Sequence, residues 1–136
     1  MDKVKKWAAE CAAKEMVDIL KQHSYNVQYA DNLEEARKMV LELVPEGSSV
    51  AVGGSVTLEQ MDLVDTFRNG NYQFFERYQQ PNWAAMVEVY RQSLLADVFV
   101  SSANAVTKNG EIICLDCTGN RAASMIFGPK KVVLIL

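Results

Sequence analysis

Ala96-Asp97-Val98-Phe99-Val100-Ser101-Ser102-Ala103-Asn104 sets an unbroken apolar triplet directly before a run of small and polar residues. A strand that is apolar at every position has both of its faces covered, as in the parallel sheet of an α/β protein. The flanking segments agree. Upstream, Ser49 to Val52 reads as a short strand and Gly53-Gly54-Ser55 as a tight turn. A helix follows over 57–68, with Leu58, Met61, Val64 and Phe67 along one face. Downstream, Ala105-Val106-Thr107, Lys108-Asn109-Gly110 and Glu111 to Leu115 predict a hairpin closed by a two-residue Asn-Gly turn. A short helix over 119–127 and a buried strand over 131–136 complete this half.

The rest of the chain continues the alternation. Residues 2–22 carry Val4, Trp7, Ala8, Cys11, Ala12, Met16, Ile19 and Leu20 at helical spacing, which predicts a helix that buries this stripe. Tyr25, Val27 and Tyr29 alternate with Asn26 and Gln28 as in a strand, and Asp31 or Asn32 caps a helix running to Leu43. Pro45 and Gly47 end it. A strand over 72–76 and a helix over 83–96 follow. Strands alternating with helices predict one α/β domain over residues 1–136, a layered sheet with helices on both faces and right-handed crossovers.

Composition bounds the function. The chain has 136 residues, 49% apolar and 23% charged, enough to bury roughly two-thirds of its extended surface without metal or disulfide staples. A net charge of -3 with no block of either sign argues against nucleic acid and anionic membranes as partners. No apolar run approaches the roughly 20 residues of a spanning helix. Glu10, Lys14 and Glu15 interrupt what would be the core of a signal peptide, so a cytoplasmic protein is expected.

Three cysteines, Cys11, Cys114 and Cys117, do not make a disulfide framework. Cys114 and Cys117 have C-x-x-C spacing, but a closed zinc site needs four ligands and only Cys11 and His23 remain as soft donors, so no metal and no cofactor are expected. His23, the only histidine, falls at the exposed end of the first helix, which removes the usual base from a Ser-His or Cys-His machine. No P-loop or G-x-G-x-x-G motif occurs.

Ligands of open α/β sheets lie beyond the carboxyl ends of the strands. Three segments there are small and polar. Gly53-Gly54-Ser55-Val56-Thr57 is a strand-to-helix turn whose glycines let backbone approach an anion, with Ser55 or Thr57 as alternative helix caps. The other two are Ser101 to Asn104 and Asp116-Cys117-Thr118-Gly119-Asn120-Arg121, which the hairpin brings side by side. Arg121 in the first turn of a helix opposes the macrodipole, so it is held there either for an anionic ligand or for Asp116. The candidate anion site is Gly53, Gly54, Ser55, Thr57, Asn104, Asp116, Gly119, Asn120 and Arg121, with Asp116 the one candidate base.

These segments also carry a resemblance. Gly54-Ser55-Val56-Thr57-Leu58-Glu59, Phe67-Arg68-Asn69-Gly70-Asn71-Tyr72 with Arg77-Tyr78, residues 96–107, and Gly119-Asn120-Arg121-Ala122-Ala123 with residues 127–132 resemble, in this order, the lactate-utilization (LUD) domain. The resemblance implies a fold similar to the sugar-phosphate isomerase and CoA-transferase-like group. It also implies a part in oxidising lactate, a 2-hydroxy acid, to pyruvate beside iron-sulfur partner subunits, with a small anionic metabolite bound at the residues above. Some relatives of that fold group use a glutamate just before the hairpin glycine, where this chain has Asn109, which argues against CoA-transferase-type catalysis. Family members continue beyond the strand at 132–136, some with a cysteine-rich tail. The resemblance therefore implies a domain cut short at its C-terminus, whose bare sheet edge favours a homo-oligomer. Two other readings stay open: a non-catalytic module that binds a metabolite or docks an iron-sulfur subunit, and, by fold analogy, a sugar-phosphate or acyl-CoA enzyme.

Overall fold

The computed structural model describes residues 2–136. In chain order the elements are α1 (Lys3–Gln22), α2 (Leu33–Leu43), β1 (Ser49–Val52), α3 (Val56–Gln60), α4 (Leu63–Asn69), β2 (Gln73–Phe74), α5 (Trp83–Ser93), β3 (Val98–Ser102), β4 (Ala105–Val106), β5 (Ile112–Ile113), α6 (Asn120–Ile126) and β6 (Lys131–Ile135). Four strands form a parallel sheet in the order β2-β1-β3-β6, and β4 and β5 form a separate antiparallel pair.

Alternate residues of each strand enter opposite layers, as the pleat requires. Val50, Val52, Val98, Val100 and Val133 face a core completed by Val40 of α2 and its C-cap Val44, Leu58 of α3, and Leu63, Val64 and Phe67 of α4. Ala51 and Phe99 face the other side, where Met125 of α6 and Val132 pack on them. Helices thus cover both faces. The chain leaves β1 towards β2 on one side and later returns to β3 on the other, so the order reverses between β1 and β3. That reversal opens a crevice at the carboxyl ends of these two strands.

The amino ends of the same strands are pinned together. Ser49 N–H donates to Asp97 Oδ2 at 3.0 Å, Asp97 N–H donates to Ser49 Oγ at 2.8 Å, and Lys130 Nζ donates to Asp97 Oδ1 at 2.7 Å. The bond from Lys130, then those from Ser49, hold the Asp97 carboxyl at about 2, below its ordinary 3.8. A carboxyl depressed in the folded state contributes fully above its unfolded pKa and loses that contribution as pH falls through the folded one. Asp97→Asn is therefore expected to flatten the decline in stability between pH 3.8 and about 2, as read from urea midpoints taken across that range.

Four sequence expectations need correction. Residues 25–29 form no strand: the sheet ends at β2 and β6, and the Tyr29 ring lies under the Lys14 ammonium at 5.3 Å instead. The stripe of α1 is not buried as a whole. Leu20, near its C-terminal end, is the residue of the helix that is buried, while Trp7 in the second turn is 66% exposed. The helix expected over 57–68 is two helices, broken at Asp62, which adopts a left-handed φ of 53°. Finally, the hairpin loop has three residues. Gly110 N–H donates to Thr107 O at 3.0 Å, Thr107 N–H donates to Glu111 O at 2.9 Å, and only Gly110 takes a positive φ, of 83°. A Cβ on Gly110 would come within 2.8 Å of Ile19, so this turn also fastens the hairpin to the end of α1.

Candidate functional site

A hollow of about 460 Å³ opens at the carboxyl ends of β1 and β3, where the strand order reverses. Gly54, Asn104, Asp116, Asn120 and Arg121, all read from the sequence as site residues, line it. The hairpin accounts for their meeting. Asn104 N–H donates to Ile113 O at 3.0 Å, and Asn104 Oδ1 accepts from Leu115 N–H at 2.9 Å, so the outgoing and returning arms run side by side.

Arg121 lies at the centre of this seam. Its Nε donates to Asp116 Oδ1 at 2.9 Å, Nη1 to Ser102 O at 3.1 Å, and Nη2 to Asn104 Oδ1 at 2.5 Å and Leu115 O at 3.3 Å. Four of the five guanidinium N–H groups are thereby used within the protein. Asp116 is equally committed. Its Oδ2 accepts from Ala122 N–H at 2.6 Å, at the third position of α6. That is the bond an N-cap side chain would make, and the actual N-cap, Gly119 at φ 79°, has no side chain to make it. The carboxylate also answers the unfavourable placement of a cation in the first turn of α6. Asp116 and Arg121 side chains are only 9% and 12% exposed.

Gly53, Ser55, Thr57 and Gly119 lie off the wall of the hollow. Gly53 is buried behind Arg121, and a Cβ there would touch the Arg121 Cδ at 3.3 Å. Ser55 caps α3 by accepting from Leu58 N–H at 3.4 Å, and its Oγ accepts from Ser102 Oγ at 3.0 Å.

The hollow also contains residues the sequence reading left out of the site: Arg77, Trp83, Tyr90, Leu115, Cys117 and Thr118. Arg77 follows β2, another strand of the sheet. Its Nη2 donates to Tyr90 Oη at 2.8 Å, and its guanidinium carbon lies 4.7 Å from the Tyr90 ring and 5.3 Å from that of Tyr78. Among the described residues it has no carboxylate within salt-bridge distance, and its buried Nε has no hydrogen-bond partner. Its sequence neighbour Glu76 is taken elsewhere, accepting from Arg68 Nε at 2.5 Å and from Tyr78 N–H at 2.8 Å. Burial works to raise the Glu76 pKa, but the Arg68 and Tyr78 bonds outweigh it and hold the carboxyl below its ordinary value. The signal for Arg77 in the sequence was its place just beyond a parallel strand within the Arg77-Tyr78 motif.

Cys11, Cys114 and Cys117 are free thiols, and Cys114 Sγ contacts Met125 Sδ at 3.4 Å. Among the described residues no group of three His, Cys, Asp or Glu side chains is placed to hold a metal ion. No helix among them is long and apolar enough to cross a membrane.

The fold and hollow define a parallel α/β protein with a ligand-sized recess at its topological switch point. A model of the LUD domain matches residues 13–136, and the chain belongs to this lactate-utilization-associated family. No curated protein and no solved structure matches it.

Proposed function

We propose that this chain binds a small 2-hydroxy or 2-oxo acid anion in the hollow and serves as a component of, or accessory to, the oxidation of lactate to pyruvate. The observation that carries the reading is electrostatic. The charged side chains lining the hollow are Arg77, Arg121 and Asp116, and Asp116 cancels Arg121. One positive charge is left over at the place where this kind of sheet binds ligands. Membership of a lactate-utilization-associated family supports lactate and pyruvate as the substrate class. Lactate gives up two electrons and two protons on becoming pyruvate; in this reading the chain holds the acid and iron-sulfur partner subunits carry the electrons away.

Lactate or pyruvate at 100 times its Kd is expected to stabilise the fold by about 2.7 kcal/mol, measured as a shift in urea midpoint. Absence of any shift with either acid would overturn the acid-binding reading. The alternative of a partner-docking module has its own support at the C-terminal ends of α5 and α6, which meet where Gly128 packs on Leu94. Leu95, Ile126 and Phe127 are all exposed there. Phe127→Asp is expected to weaken assembly with an iron-sulfur subunit while leaving acid binding unchanged.

A further inference from the structure

Building on that acid-binding reading, we propose that Arg77 receives the carboxylate of the ligand and that Trp83 and Leu115 form an apolar lip for its side chain. Lactate and pyruvate then bind, and acids of the same 2-hydroxy or 2-oxo monocarboxylic class with a bulky apolar or aromatic side chain bind more tightly.

Of the two guanidinium groups in the hollow, Arg121 is spent on Asp116, Asn104 and two carbonyls. Arg77 is not. A half-buried cation with no counter-ion is costly, and two tyrosine rings, one hydroxyl and the Val52 carbonyl, 3.5 Å from Nη1, offset only part of that cost. Nε is buried, so the N–H groups left for a ligand are the one each that Nη1 and Nη2 keep after Val52 O and Tyr90 Oη, a pair that suits a planar, two-oxygen acceptor, the geometry of a carboxylate. Gly54 keeps the approach open, since a Cβ there would already lie 3.6 Å from the guanidinium. The single uncancelled charge matches a monoanion, whereas a dianionic phosphate would bring a second charge with no partner.

Size and surface decide the rest of the ligand. The hollow, about 460 Å³ and open to solvent on one side, is far larger than lactate and leaves most of its space unfilled by it. Trp83 is 58% and Leu115 79% exposed on its wall, apolar area that a ligand side chain would take out of water. The Trp83 and Tyr90 rings meet edge to face at 6.4 Å, which fixes the indole beside the cation's own aromatic neighbour.

The test is a titration of the full chain with lactate, pyruvate, 3-phenyllactate, phenylpyruvate and inorganic phosphate, followed by amide NMR shifts, for the native protein and for Arg77→Gln, Arg77→Lys and Trp83→Ala. The native protein should bind the phenyl acids roughly tenfold more tightly than their three-carbon counterparts. Arg77→Gln should weaken every acid roughly tenfold or more with its spectrum still dispersed, Arg77→Lys should recover part of the loss, and Trp83→Ala should remove the phenyl preference alone. Native-like binding by Arg77→Gln would overturn the role of Arg77 and leave the acid-binding reading standing. A preference for the three-carbon acids, a phenyl preference that survives in Trp83→Ala, or phosphate bound as tightly as the acids would overturn the ligand class. No binding of any acid by the native protein up to roughly 10 mM would overturn both readings.

Discussion

Arg121→Ala is expected to destabilise the fold by about 3–5 kcal/mol, the largest effect of any single change at the hollow. The substitution leaves the Asp116 carboxylate charged, 9% exposed and without its cation. It also strips donors from Asn104 Oδ1 and from the carbonyls of Ser102 and Leu115, so β3, the hairpin and α6 lose their common fastening. Arg121→Lys should recover little, because one ammonium cannot span four separate acceptor groups in the way the planar fork does. Removing both charges together, in Arg121→Met with Asp116→Asn, should cost clearly less than Arg121→Ala, since no buried charge is then stranded. Urea denaturation of the three variants measures this ordering. A fully stable Arg121→Ala that fails to bind acids would reverse the roles given to the two arginines.

The same pair shows how far a sequence can be read. That Arg121 sits against the helix dipole follows from its position, and two answers were open, an anionic ligand or Asp116. Choosing between them required the hairpin register, which sets Asn104 and Leu115 against one guanidinium. The central strands β1 and β3 were legible because a parallel strand buried on both faces is apolar throughout, and they occur where Ser49 to Val52 and Val98 to Val100 place them; β6 also falls on the final apolar run, but as an edge strand in which only Val133 is buried, not the buried strand expected there. Alternation at Tyr25, Val27 and Tyr29 misled because a strand needs a neighbour to pair with, and pairing is a property of the whole sheet. Arg77 reads in the sequence as one of two arginines interleaved with aromatic packing residues, and only the fold shows that Arg68, eight residues before Glu76, takes the neighbouring carboxylate and leaves Arg77 without one.

Gly53→Ala is expected to lower stability by about 2 kcal/mol, although Gly53 needs no unusual backbone angle. The requirement is space. An added Cβ would overlap Ser101 Oγ, lie 3.0 Å from Ser101 Cβ and press on Arg121 Cδ at 3.3 Å. Rotating the Ser101 hydroxyl relieves only the first of these, and Ser101 is completely buried, with nowhere to retreat. Gly53 cannot easily move instead, because its N–H donates to Val100 O at 3.0 Å and continues the β1–β3 ladder. Ser101→Ala should therefore fail to rescue Gly53→Ala, whereas Ser101→Gly, which removes the Cβ itself, should restore part of the loss. A double-mutant cycle on urea midpoints would show this as coupling of about 1 kcal/mol, and strictly additive costs would mean that strand and helix shift apart freely here. The two adjacent glycines thus serve different ends: Gly53 lets Ser101 and the Arg121 stem pack against the end of β1, and Gly54 leaves the Arg77 guanidinium open to the hollow.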